Sequence, residues 1–179
     1  MKEFRLRHAD LKDIDKIMRI EKASFDPESR EDKSVFIERL DTYSDGFFVM
    51  ESEGEIIGFI CTELWVYKDE VVEGDFELGH SILDMHSDQG TELYISAIGI
   101  SPKHRGKGAG KMLFQEGTGR ILKDNPNIKS QILIVSEAWK NARKIYKKTG
   151  FREVLRITDF FENKAGEKEN GIVMRKREE

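Results

Sequence analysis

The chain has 179 residues, 36% of them charged and 38% apolar, with 30 Lys and Arg against 34 Asp and Glu. This length suits one soluble globular domain over residues 1–179 that buries roughly 70% of its unfolded surface, and it excludes two large domains. A single cysteine, Cys61, excludes an intrachain disulfide and a Cys-built zinc site, and the opening MKEFRLRHADL lacks the apolar run of a signal peptide, so a cytoplasmic, membrane-free protein is expected.

In chain order, Phe4 and Leu6 alternate with Arg5 and Arg7 as a half-buried strand, and Asp10 caps a helix carrying Leu11, Ile14, Ile17 and Met18 on one face. A second helix is predicted at about 31–42, after the Asp26-Pro27 turn. Phe47–Glu51 and Glu55–Val66 read as an antiparallel hairpin around Glu53-Gly54. Residues 69–92 hold eight acids and no base and read as an inserted acidic loop. Leu93–Ile100 is an Ile-rich strand, followed by a Gly-rich turn and a helix from about 108 to 123. Ile132–Val135 is a buried strand, Asn141–Lys148 a helix closed by Gly150, and Phe151 onward returns to strand, with a last one near Gly171–Arg175. This order predicts an α/β domain with a mixed sheet whose central crossover carries the glycine turn.

Charge is segregated. Residues 51–100 carry twelve acids and only Lys68, a net of −11, whereas residues 101–150 carry twelve bases and three acids, a net of +9. Either the first segment meets cations and the second anions, or the two pair with each other across a sheet or are simply solvated faces. The lysine-rich run Lys140, Arg143, Lys144, Lys147 and Lys148 has no aromatic interleaving, so nucleic acid is not expected as a partner. His80, Asp84, His86 and Asp88 have no recognised ligand spacing, and no metal site is expected.

The run Pro102 to Lys111 lies between an apolar strand and an amphipathic helix, so free backbone N–H groups and the helix dipole converge on one spot suited to phosphate. Arg105, Lys107 and Lys111 add charge fit for a pyrophosphate. A nucleotide P-loop fails on spacing and on Met112 where a hydroxyl is needed, and a dinucleotide fingerprint fails because Lys111 stands in its third glycine position.

The residues satisfy R-x-x-G-x-G as Arg105, Gly108 and Gly110, within Ala97-Ile98-Gly99-Ile100-Ser101-Pro102-Lys103-His104-Arg105-Gly106-Lys107-Gly108-Ala109-Gly110. Here the chain resembles the GNAT superfamily of acyl-CoA N-acetyltransferases, and the spacing of Ala142, Tyr146, Gly150 and Phe151 resembles that family's next helix. The N-terminal Ile20-Glu21-Lys22-Ala23-Ser24-Phe25 and the stretch 166–174 are similar to the branch that contains the ribosomal-protein alanine N-acetyltransferase. The resemblance implies a mixed, mostly antiparallel central sheet with helices on both faces, acetyl-CoA as cosubstrate, and transfer of its acetyl group to a primary amine by direct attack in a ternary complex. It places the coenzyme on Ile98, Gly99, Ile100, Arg105, Gly106, Lys107, Gly108, Ala109, Gly110 and Lys111. Trp139 stands where the family has an asparagine for the pantetheine arm, and Asn141 is the replacement candidate.

A free alkyl amine with a pKa near 10 must lose a proton before attack, and the thiolate must gain one. Tyr146 is the general acid that the resemblance implies; its competing reading is a tyrosine packed on the buried face of its helix with Ile145. Glu92, which opens the strand into the glycine turn, is the first candidate for the base; its competing reading is a solvated strand-entry residue. The relative's strand glutamate is replaced by Ile134, and the paired tyrosines that hold a peptide backbone by Phe160 and Phe161. The acceptor is either a small cationic amine such as a polyamine or a peptide α-amine; the alternative to an enzyme is a non-catalytic acyl-CoA-binding regulator. An edge strand near the C terminus leaves homodimerisation open.

Overall fold

The computed structural model describes residues 3–179. Its strands are β1 (Phe4–His8), β2 (Phe47–Ser52), β3 (Glu55–Trp65), β4 (Glu92–Ile100), β5 (Ser130–Ser136), β6 (Arg152–Glu162) and β7 (Lys168–Arg177), in the sheet order β1-β2-β3-β4-β5-β7-β6. Five of the six pairings are antiparallel; β4 and β5 alone run parallel. A parallel pair needs a crossover, which α4 (Ala109–Asp124) supplies. The other helices are α1 (Ile14–Ser24), α2 (Lys33–Thr42), the single turn α3 (Ile82–Met85) and α5 (Lys140–Lys148). None of the described helices is long and apolar enough to cross a membrane.

The strand period of two sends alternate residues of β3 to opposite cores. Phe59 and Cys61 join Ile17, Phe36 and Phe47 under α1 and α2, while Ile60 and Leu64 join Leu113, Phe114, Tyr146 and Phe151 under α4 and α5. Helices thus cover both faces, as expected from the resemblance. The β2–β3 turn has positive φ at both Glu53 (52°) and Gly54 (82°), the twist that a two-residue hairpin requires.

Asp10 caps a short 3-10 turn, Leu11–Asp13, and not α1 itself. Its side chain accepts from Lys12 N–H (3.1 Å), and Asp13 returns the bond by accepting from Asp10 N–H (2.9 Å). Residues 66–91 are more ordered than an acidic loop predicts, because Phe76 and Ile82 are buried and anchor the segment to the sheet.

Strand β4 is irregular in two places. Ser96 is an extra residue, since Cys61 pairs with Ala97 and Thr62 with Ile95. The ladder to β5 lasts only from Glu92–Ser130 to Tyr94–Ile132. Beyond Tyr94 the parallel strands separate, and the β5-facing edge of Ile95–Ile100 has no ladder partner. A slot therefore opens in the middle of the sheet.

Candidate active site

The slot leads to the glycine turn. Ser101 N–H holds the turn to Ile57 O (2.7 Å) and Arg105 Nε donates to Ile100 O (3.3 Å). Gly106 and Gly108 are left-handed, φ 76° and 82°, with open space where a side chain would begin. Gly108 is the N-cap of α4 and lacks a capping side chain; the first intrahelical bond is Met112 N–H to Gly108 O (3.0 Å). The N–H groups of Ala109, Gly110 and Lys111 consequently have no acceptor within the helix. Lys103, Arg105, Lys107 and Lys111, in the turn and the first turn of α4, are all exposed. An anion with several oxygens suits this helix N-terminus, because the dipole, the free N–H groups and the positive charge of the turn all favour it.

The glycines serve different ends. Gly110 lies inside α4 without positive φ, and a side chain there would meet Ile100 Cγ1 at an ordinary 3.6 Å. Gly99 is a packing residue: its Cβ would stand 2.9 Å from Phe59 Cε1 under the opposite face. Ile98 is half-buried beside the α4 core, and Ile100 and Ala109 are buried.

On the other lip, Trp139 precedes α5 and packs on Phe25 (centroids 5.5 Å apart) and Phe161 (5.1 Å), which in turn meets Phe160 (4.9 Å). Asn141 is exposed in the first turn of α5. Tyr146 is buried on the α4 side with Phe114 (5.2 Å) and Phe151 (5.9 Å), and burial pushes its hydroxyl up to about 12. It stays a donor at neutral pH.

Residues 14–151 match the acetyltransferase (GNAT) family. This chain belongs to that family. An N-alpha-acetyltransferase of Sulfurisphaera tokodaii is 29% identical over 160 residues, covering 89% of this chain and 87% of the relative. Among solved structures, the ribosomal-protein-S18-alanine N-acetyltransferase of Escherichia coli superposes with a TM-score of 0.71 at 16% identity, covering 98% of this chain and 94% of that one. NAA60 of Arabidopsis thaliana, in complex with a bisubstrate analogue, gives 0.75 at 19% identity over 98% of each chain. The protein is an N-acetyltransferase of the GNAT family, which draws on acyl-CoA.

Within this acetyltransferase, Glu92 is held in a buried ion pair. Arg175 Nε lies 2.7 Å from Glu92 Oε2 and Arg175 Nη2 donates to Oε1 (2.8 Å), while Ser130 Oγ donates to Oε2 (2.5 Å). The carboxylate is 2% exposed with both oxygens engaged, at the closed end of the slot. Its competing reading, a solvated strand-entry residue, is corrected by this burial: Glu92 opens the strand but faces Arg175 and Ser130 and not solvent.

The two charged segments do not pair with each other among the described residues. Asp75 bonds Lys68 and Asp88 bonds His86 within the acidic segment, and Arg143 and Lys147 of α5 take Glu153.

A buried polar cluster on the α1/α2 face went unread in the sequence. Arg39, 1% exposed, donates to both oxygens of Glu31 (2.8 and 2.6 Å), and its Nε lies 3.8 Å from Glu63 Oε1. Glu63 is fully buried and accepts from Trp65 Nε1 (2.8 Å), with His80 Nε2 at 2.7 Å. Glu21 Oε1 accepts from Glu31 N–H (3.0 Å) while its Oε2 has no partner. Burial, reinforced by the Glu31 charge, raises Glu21 to about 7 against the Glu31 N–H, Arg39 and Arg30. The signal was a charged Glu63 inside the apolar run 56–66. No three His, Cys, Asp or Glu among the described residues are arranged to hold a metal.

Proposed function

We propose that the protein transfers acetyl from acetyl-CoA to the α-amine of a peptide or protein. The observation that supports this reading most is the lack of a free carboxylate on the slot strands: Glu92 is locked to Arg175 and Ser130, and Ile134 is apolar. An α-amine has a pKa near 8 and is substantially neutral at physiological pH, whereas a polyamine nitrogen near 10 needs a strong base. The N-alpha-acetyltransferase relative points the same way.

Acetyl-CoA, when bound, supplies a thioester. The N–H groups of Ala109, Gly110 and Lys111, with Arg105, Lys107 and Lys111, hold its pyrophosphate. The slot edge of β4 from Ile95 to Ile100 offers backbone partners to the pantetheine arm, and exposed Asn141 of α5 is the side chain that would assist it. The amine approaches from the α1/α2 face, opposite α4. A C–N bond forms as the C–S bond breaks; the amine gives its proton to solvent and the sulfur takes one. Tyr146 donates a hydrogen bond to the leaving sulfur. Its pKa of about 12 exceeds that of a thiol near 8.5, so complete transfer from the phenol is uphill and the net proton comes from water. Phe160 and Phe161 form an apolar wall beside Trp139 for the acceptor's first residues.

A thiol-release assay with acetyl-CoA and peptides bearing free N termini tests the proposal. Peptide-dependent release is expected, falling about ten- to a hundredfold in Tyr146→Phe with acetyl-CoA affinity retained. Saturable acetyl-CoA binding without release on any amine would leave a regulatory binder instead.

A further inference from the structure

The segment between β3 and β4, residues 66–91, reaches the sheet where the slot begins. Tyr94 is the last β4 residue paired to β5, and on the α1/α2 side it stacks on Trp65 (4.0 Å) and meets Phe76 of the segment (6.0 Å). Gly79 N–H donates to Glu31 Oε2 (3.1 Å) and Ser81 Oγ to Glu38 Oε2 (2.8 Å), so the segment is also tied to α2 and to the stretch before it. That same stretch meets the β6–β7 hairpin through Ser29 Oγ to Glu162 O (3.3 Å). Three segments thus rim one face of the slot.

Two histidines hold the 66–91 segment in unlike ways. His86 Nδ1 accepts from Leu64 N–H (3.1 Å) and Nε2 faces Asp88 Oδ1 (3.1 Å), an arrangement that one ring proton satisfies. His80 faces an acceptor at each nitrogen: Glu77 O at Nδ1 (3.1 Å) and Glu63 Oε1 at Nε2 (2.7 Å). Both bonds form only when His80 carries both ring protons.

We infer that His80, seated on buried Glu63, is a positioning residue that sets the 66–91 segment as a wall of the acceptor pocket and so governs acceptor binding, not donor binding. This rests on the proposed peptide acceptor and its approach from the α1/α2 face. The groups around His80 are Glu63 and Trp65 from β3, Arg39 from α2, Glu31 before it, Tyr94 from β4 and the Glu77 carbonyl of its own segment. Burial and Arg39 oppose the imidazolium, but the hydrogen bond and charge of Glu63 outweigh them, and the His80 pKa is raised. A raised histidine holds the segment fully at pH below about 6.5, its unfolded value, and releases it as pH climbs through the folded value.

The test compares wild type with His80→Gln and His80→Ala. Gln keeps a neutral donor for Glu63 that does not titrate; Ala removes it. Peptide KM and acetyl-CoA KM are measured from pH 6 to 9, alongside hydrogen exchange of residues 66–85 without substrates. The ratio of wild-type to His80→Gln peptide KM cancels the amine's own ionisation; it is expected to rise several-fold with pH while acetyl-CoA KM stays within about twofold. His80→Ala is expected to raise peptide KM about tenfold and to speed exchange in 66–85 at pH 6. A flat ratio, or equal changes in both KM values, overturns the inference. Exchange that is the same in all three proteins at every pH overturns it even if no peptide is acetylated. Accelerated exchange without peptide turnover keeps the latch and overturns only the acceptor reading.

Discussion

Glu92 and Arg175 form a buried ion pair that bridges β4 and β7 across the back of β5, the strand between them. Arg175 Nη2 also donates to Lys68 O (2.8 Å) and Nη1 to Asp69 O (3.3 Å), and its guanidinium sits 4.8 Å from the Tyr67 ring centroid. One pair thus closes the base of the slot and fixes the start of the 66–91 segment.

Removing one partner leaves a buried charge, so Glu92→Ala is expected to cost about 3 kcal/mol or more of stability. Denaturant unfolding reads that loss. Glu92→Gln, assayed at a temperature where it remains folded, is expected to keep the ascending limb of its pH–rate profile. A limb displaced by more than about one pH unit with full stability would make Glu92 the base after all.

The glycine turn separates into two cases. Gly108→Val places a branched residue at φ 82° on the mouth of the cradle, at a strain of about 1–3 kcal/mol, and is expected to weaken acetyl-CoA binding at least tenfold. Gly110→Ala enters a right-handed helical position with an ordinary 3.6 Å contact and is expected to leave affinity within about threefold. Calorimetric titration of both variants checks this; equal losses would mean that the motif acts through its helix and not its turn.

Glu21 imposes a pH dependence on folding. Its folded pKa of about 7 lies above the ordinary 4.5, so its contribution is complete below pH 4.5 and is lost as pH rises through 7. The full span corresponds to about 3 kcal/mol. Glu21→Gln keeps an acceptor for Glu31 N–H and is expected to narrow the stability difference between pH 5 and pH 8, which urea unfolding at both values measures. An unchanged difference would place the proton elsewhere.

Local rules made much of the fold legible. Alternation in Phe4–Arg7, the Glu53-Gly54 turn and the glycine run each carry their structure in a few residues, and Ala109–Asp124 and Lys140–Lys148 fall within a residue of their predicted bounds. What stayed hidden depends on long-range pairing. That Glu92 meets Arg175, 83 positions away, is set by strand order, which spacing does not encode. The cluster of Glu31, Arg39, Glu63 and His80 is scattered over about 50 residues, and only the charge inside an apolar strand hinted at it. The acidic reading of residues 69–92 saw charge where Phe76 and Ile82 do the anchoring.

The most direct test is an internal competition within one peptide that carries a free N-terminal α-amine and one lysine. At pH 7.5 the neutral fraction of the α-amine exceeds that of the lysine Nζ by about two hundredfold, from pKa values near 8 and 10.4. With no free strand carboxylate to offset that gap, fragment-ion mass spectrometry of the product is expected to place acetyl on the α-amine in at least about ninety-nine of a hundred molecules. Acetyl mainly on the lysine Nζ, or a polyamine outcompeting the peptide in the same tube, would contradict the account.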